Sequence, residues 1–318
     1  MGKFDIDKYI DSLPDDVNEI WVSFKNVNYL PDLSRFKSLN KLYCNCNKLT
    51  SLPVLPENLI ELYCSHNELM SLPVLPENLE GLFCYNNKLM SLPNLPEKLK
   101  ILSCNYNKLT SLPVLPENLE ILFCHWNQIT SLPVLPKKLK ELNCSGIKLT
   151  SLPVLPKKLE ILTCSYNNLT LLPVLPDNLK ELFCNHNELT SLPVLPGNLK
   201  HLYCSYNELT SLPVLNENLK WIDCLNNNLR SLPILNENLV CIRYKYNPIN
   251  KIIVDHYCFK TIKKNIKIWN NFRYLYYCLK YRKRFLRIME PIIKKRYHPS
   301  YLYNLKEEDD LDEKLEEW

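Results

Sequence analysis

From Leu59 to Leu69 the apolar and polar positions run L-x-x-L-x-C-x-x-N-x-L, and the same string returns every 20 residues. It recurs eleven times in register, with first positions from Leu39, Leu59 and Leu79 through to Leu239; the last copy closes on Ile242, Tyr244, Asn247 and Ile249. A weaker copy opens the series, where Leu13, Val17, Ile20 and Val22 align with Leu55, Leu59, Leu62 and Cys64. Leu62 and Cys64 alternate with Glu61 and Tyr63, a period of two that predicts a short strand in each unit. A chain built this way is an array, so fold and function are read per repeat.

The other half of each unit has a different period. In Leu52-Pro53-Val54-Leu55-Pro56 leucines and prolines both recur at a spacing of three, the period of polyproline II, and proline blocks a helix interior. The return leg is therefore predicted to be extended. Leu52, Leu55, Leu59, Leu62, Cys64 and Leu69 would then point inward. At roughly 1.5–3 kcal/mol per buried large side chain, one such turn is viable only when stacked on neighbours. Successive strands should pair in parallel to line a concave face, with eleven regular units making a sheet on the order of 50 Å long. Asn67 and its equivalents, Asn47, Asn87, Asn107, Asn127, Asn167, Asn187, Asn207, Asn227 and Asn247, mark the turn leaving the strand, where an amide can satisfy backbone groups that no ladder reaches. Ile147 interrupts this column, which predicts a local defect or a displaced turn there and not a site.

Two flanking segments break the period. Phe4, Ile6, Tyr9, Ile10 and Leu13 predict a short helix stopped near Pro14. After Ile252, Val254, Tyr257, Cys258, Ile262, Ile266, Trp269, Phe272, Tyr276, Leu279 and Leu286 follow three-to-four spacing, predicting one or two amphipathic helices from 254 to about 289. Their expected task is to cover the open ends of the array. The organisation read from this is an N-terminal cap helix over 1–12, the array over 13–252, a basic helical cap over 253–300 and a tail over 301–318.

Charge sharpens that division. Residues 251–300 carry 14 Lys/Arg against 2 Asp/Glu, residues 301–318 carry 2 against 8, and the array before them is close to balanced. Lys263, Lys264, Lys280, Arg282, Lys283, Arg284 and Arg287 are interleaved with Tyr274, Tyr276, Tyr277 and Tyr281. Such a cluster could touch nucleic acid or anionic lipid; equally, it could be the solvated face of a capping helix folded against the acidic tail.

Of the 14 cysteines, ten lie at the inward position of the repeat, in a chain without a charged leader, an apolar span or a myristoylation signal. They read as small hydrophobes of an intracellular protein and not as a disulfide framework. Cys44, Cys46 and His66 are the nearest approach to a zinc set, and their spacing does not fit one; His256, Cys258, Cys278 and His298 read as a helix face with solvent-facing imidazoles. No nucleophile elbow, phosphate loop or zinc-protease pair occurs, and Glu57, Glu77, Glu97 and Glu117 recur as solvating rim charges. The chain is expected to be a non-enzyme with no cofactor and no metal, and a monomer.

The concave face holds the candidate chemistry. Its column between the inward residues reads Tyr43, Tyr63, Phe83, Ser103, Phe123, Asn143, Thr163, Phe183, Tyr203, Asp223. With Tyr85 and His125, the rings of Tyr43, Tyr63, Phe83 and Phe123 are expected to form a contiguous patch that binds a protein, continued by Phe183 and Tyr203. The alternative is that these rings pack across strands for the sake of the sheet.

The repeat L-x-x-L-x-C-x-x-N-x-L differs from the leucine-rich-repeat pattern only in its cysteine. With Leu-Pro-x-Leu-Pro return legs and a 20-residue period it resembles the short leucine-rich repeats of bacterial type III effectors. The Lys/Asn/Ile/Tyr-rich composition and the tail with Arg296-Tyr297-His298-Pro299 resemble leucine-rich-repeat proteins of giant DNA viruses of the mimivirus type. Leu13-Pro14-Asp15-Asp16-Val17 also looks like the opening of an F-box, without the helices such a box needs. The resemblance implies a leucine-rich-repeat solenoid with a parallel β-sheet on its concave face, an extended convex face and helical caps. It also implies a non-catalytic scaffold for a protein partner, acting in a host cytoplasm. The ubiquitin-ligase domain that follows some effector arrays is not implied: neither Cys258 nor Cys278 sits in a matching motif.

Overall fold

The computed structural model describes residues 4–251 and 259–280, with side chains of the second stretch described over 261–272. It divides into a first unit ending at Lys263 and a second beginning at Lys264. In the first unit, helix α1 (Ile6–Asp11) starts at Asp5, whose carboxylate accepts a hydrogen bond from the Lys8 amide, and buries Ile6 and Ile10. Twelve three-residue strands follow, from β1 (Glu19–Trp21) and β2 (Lys41–Tyr43) to β12 (Cys241–Arg243), the eleven from β2 onward starting 20 residues apart. They form a single sheet in sequence order, every neighbour parallel. Register repeats without slip: Leu42 faces Leu62, and Leu62 faces Leu82.

The inward set is as the pattern predicts. Leu59, Leu62, Cys64 and Leu69 are fully buried, and Leu52 and Leu55 nearly so. The position of Leu52 is looser along the array, since Leu92, Leu132, Leu152 and Leu192 are half-exposed. The return leg is neither helix nor strand, and its outer column, Val74, Val114 and Val134 among others, is almost fully exposed. The ladder cysteines are buried and free. Cysteine does something here that leucine could not: the thiols of Cys44 and Cys224 donate to the carbonyls of Tyr63 and Arg243 in the following coil, at 3.3 and 3.2 Å.

The asparagine column closes the backbone. Asn107 Nδ2 donates to the carbonyls of Cys84 and Cys104 at 3.1 and 3.0 Å, while its Oδ1 accepts from the Leu89 amide at 3.0 Å. One side chain thus serves two coils. Where it is missing, the turn changes. Lys25 and Ile147 occupy the position, and in both coils the next residue, Asn26 or Lys148, takes a positive φ that no other coil shows there. The following asparagine then accepts twice, Asn47 from Lys25 and Val27, and Asn167 from Ile147 and Leu149. The displaced turn expected at Ile147 is present, with a cause: without the amide the backbone must turn further to reach a partner one coil away.

A second asparagine column was not anticipated. At the entry to the strand, Asn58, Asn118, Asn178 and Asn238 each donate to a carbonyl of the preceding coil at 2.8–2.9 Å. Where lysine takes the position, Lys98 and Lys138 bond Asn78 and Asn118 at 2.7 Å. Beside it, Lys100, Lys140 and Lys180 pair with Glu80, Glu120 and Glu160, exposed ion pairs worth about 0–1 kcal/mol each.

The second unit contains most of helix α2 (Phe259–Lys280), which carries no acidic residue in its sequence. The periodicity expected from 254 to about 289 is a helix over this part of it; residues 252–258 and those beyond 280 lie outside the described residues. Trp269 and Phe272 stack at 5.9 Å, Ile266 is buried and Ile268 exposed.

Candidate functional site: the concave face

The first and third residues of each strand face out on the concave side, and the third-position column is where aromatic rings meet. Parallel strands in perfect register place equivalent side chains directly beside one another, so like rings can stack. Tyr43 and Tyr63 stand 4.6 Å apart and Tyr63 and Phe83 4.5 Å apart, their ring planes nearly parallel. Sequence reasoning left out the first ring of this stack: Trp21, 55 % exposed, lies 3.8 Å from Tyr43. The signal was present, because Trp21 aligns with Tyr63 once the degraded first unit is placed in register. Tyr63 also donates its hydroxyl to Glu61 at 2.9 Å, and Lys41 pairs with Glu61 at 3.3 Å. Burial, helped by Glu61, pushes the Tyr63 phenol up from its ordinary value.

The expected contiguous run breaks at Ser103. Phe123 makes no ring contact with Phe83; its ring neighbour among the described residues is His125, at 6.4 Å. The reason is local: Ser103 is turned to Asn105 at 2.9 Å and offers no ring to bridge the two. Phe183 and Tyr203 form a separate pair at 4.6 Å. Tyr85 packs edge-on against His66 at 5.1 Å, and His125 edge-on against Tyr106 at 5.4 Å, with its pKa lowered by burial.

A second aromatic column was missed. Two residues after each ladder position, Cys44 to Cys224 and then Tyr244, the backbone adopts a left-handed conformation, from Cys46 at φ +55° to Tyr246 at φ +60°, and only one of these residues is glycine, Gly146. Tyr106, Trp126, Tyr166 and Tyr206 occupy it with 44–52 % exposure. Their rings and that of His186 follow one another: Trp126 to Tyr166 at 5.9 Å, Tyr166 to His186 at 4.3 Å, His186 to Tyr206 at 4.2 Å. Bulky residues held at positive φ are strained by about 1–2 kcal/mol each, offset here by the asparagine column that holds the turn.

Of the basic residues singled out, Lys263 points its ammonium at the Glu237 carbonyl, 3.2 Å away, and Lys264 is exposed. Lys280 ends α2 with its side chain undescribed; Arg282, Lys283, Arg284 and Arg287 lie outside the described residues. Cys44, the core of the weighed zinc set, is fully buried, and burial pushes its thiol up to about 12. No helix among the described residues is long and apolar enough to cross a membrane.

A parallel sheet in strict sequence order, one coil per 20 residues and an asparagine column at the strand exit define a leucine-rich-repeat solenoid. Among solved structures it is similar to YopM from Yersinia enterocolitica, at 37% identity and a TM-score of 0.72 over 74% of this chain and 52% of that one. It is also similar to the functional domain of InlJ from Listeria monocytogenes, described as including a cysteine ladder, at 31% identity and a TM-score of 0.66 over 72% of this chain and 53% of that one. This chain thus spans about half the length of both. Toll, in the Toll–Spätzle complex of Drosophila, shares the fold at 22% identity and a TM-score of 0.56, over 74% of this chain and 39% of that one. No protein-family profile matches the chain, and no curated protein does.

Proposed function

We propose that this chain is a non-catalytic scaffold that holds a protein partner against its concave face. The observation that carries the reading is the stack of Trp21, Tyr43, Tyr63 and Phe83, an open run of rings on the solvent side of a rigid sheet. Aromatic residues are the anchors of protein interfaces, and rings already ordered by stacking lose little further freedom on binding. The stack also argues against bases as the ligand. Most ring faces are occupied by one another, and edges and hydroxyls remain for a partner, whereas a base needs a free face. The likeness of the repeats to effector arrays and of the C-terminal sequence to giant-virus proteins supports reading it as a scaffold that acts inside a host cell.

The test is to replace Tyr63, Phe83 and Phe123 with serine in the full chain. Partners captured by the native protein should be lost while the melting temperature of the array shifts only modestly. Unchanged capture would reduce the rings to sheet packing.

A second reading, a tether whose basic helix touches nucleic acid or membrane, is favoured by one feature: α2 carries six Lys/Arg and no Asp/Glu. Retention of the full chain on heparin at moderate salt, lost on charge reversal at Lys264 and Lys267, would support it. Flow-through would end it.

A further inference from the structure

The concave face carries acidic side chains in five coils, and four of these are answered within the chain. Glu19 accepts from the Trp21 indole at 3.2 Å, Glu61 from Tyr63 and Lys41, Glu181 pairs with His201 at 3.3 Å, and Asp223 with Arg243 at 2.8 Å. Glu141 is the exception among the described residues. The register sets it between Ile121 and Ile161, with Phe123 as its diagonal neighbour. Lys140, the adjacent cation in the chain, is already held by Glu120 at 2.7 Å on the flank of the sheet.

The same region holds other unanswered polar groups. His125 Nδ1 and Ser145 Oγ are buried without a hydrogen-bond partner in the chain, and they belong to the two adjacent coils that carry Phe123 and Glu141. Asn143 follows Glu141 on its outward side, about 7 Å along the strand, and accepts from the Ser145 amide at 3.2 Å where the turn begins. Native structures leave few polar groups unpaired; Trp221 Nε1 and Asn236 Oδ1 are others elsewhere in the chain, but these two adjacent coils combine a pair of them with an unpartnered carboxylate. The coil of Glu141 also contains the irregular turn at Gly146 and Ile147, where the repeat rule is broken.

We propose that Glu141 receives an arginine side chain of the protein held on the concave face, with Ile121, Ile161 and Phe123 packing its stem and apolar flanking residues. This rests on the concave-face reading above and names the chemistry of the partner. An arginine fits better than a lysine: its guanidinium is weakly hydrated, spans a carboxylate with two donors and lies well on an aromatic ring. Burial and the like charge of Glu181 both raise the Glu141 pKa, so a cation supplied from outside relieves a carboxylate that the fold leaves uncompensated.

Random twelve-residue peptides displayed on phage, selected on the full chain, supply the probe. Enriched sequences should carry arginine between apolar residues. Synthetic fluorescent copies should lose about tenfold or more in affinity when that arginine becomes citrulline, which keeps shape and removes charge. With Glu141→Gln protein the same exchange should change affinity by less than about twofold, the signature of a direct pair in a double-mutant cycle. Equal losses in both proteins overturn the proposal, as does equal binding of lysine copies.

Peptides that are lost in the Tyr63/Phe83/Phe123 serine variant but lack arginine also overturn it, while leaving the protein-binding reading intact. Peptides indifferent to both sets of substitutions overturn the two together. Glu141→Gln should melt no lower than the native chain; a clear fall would assign Glu141 a structural role instead. A dimer abolished by Glu141→Gln would make the occupant a second copy of this chain and overturn the assignment likewise.

Discussion

The indole of Trp126 lies over Gly146, so close that a β-carbon on that glycine would stand 2.7 Å from the ring. The outer aromatic column passes over this gap, and Trp126 meets Tyr166 two coils on at 5.9 Å. Glycine here serves the neighbouring ring more than the backbone, because the equivalent position accepts tyrosine at similar φ in Tyr106 and Tyr206. Gly146→Ala should therefore destabilise the array by about 2–3 kcal/mol, and by only about 1 kcal/mol in a Trp126→Ala background. Denaturant melts of the two single variants and the double variant check this coupling.

The asparagine column predicts an uneven cost for removing one residue type. Asn107→Ala strips partners from the Leu89 amide and the Cys84 and Cys104 carbonyls, all in the interior, and should cost about 2–3 kcal/mol. Asn86→Ala, at an exposed position, should stay within about 1 kcal/mol. Equal losses in a urea titration would contradict the role given to the column.

The thiol ladder makes stability depend on alkaline pH. Burial raises Cys44, Cys124 and Cys164 from the ordinary 9.0 to about 12, and the other ladder thiols are raised too. A group that keeps its proton longer when folded contributes fully below its unfolded value and loses that contribution as pH rises toward the folded one. Stability should be flat to about pH 8 and fall steeply above 9, the slope summing over the ladder. A thiol reagent at pH 8 should reach half-exposed Cys46 and Cys241 in the native chain, and the ten ladder cysteines only on unfolding.

Ring stacking on the concave face predicts a pattern of couplings. Tyr63 and Phe83, 4.5 Å apart, should show an interaction energy of about 0.5–1.5 kcal/mol in a double-mutant cycle. Phe83 and Phe123, separated by Ser103, should add within about 0.5 kcal/mol. A large coupling for the second pair would restore the contiguous patch that the alternation of the strands suggests.

Much of this architecture is legible in one dimension. The inward set of Leu59, Leu62, Cys64 and Leu69, the position of every strand from β2 onward and the anomaly at Ile147 all follow from a repeat written in register. The site is less so. Tyr43, Tyr63 and Phe83 could be named from the column, but Trp21 hid in a degraded unit and the outer rings hid in a position of mixed type. Cys46, Asn86, Tyr106 and Gly146 share a backbone conformation and little else.

By itself the string of residues determines the coil, because burial repeats each turn and every turn asks the same of its leucines, cysteine and asparagine. The tertiary structure decides which neighbour answers which side chain. Whether Phe123 meets a ring, Trp126 bends over Gly146 or Glu141 finds a cation depends on residues one or two coils away. Those contacts are set by the register and rotamers of the stacked coils, which a periodic pattern of apolar positions does not encode.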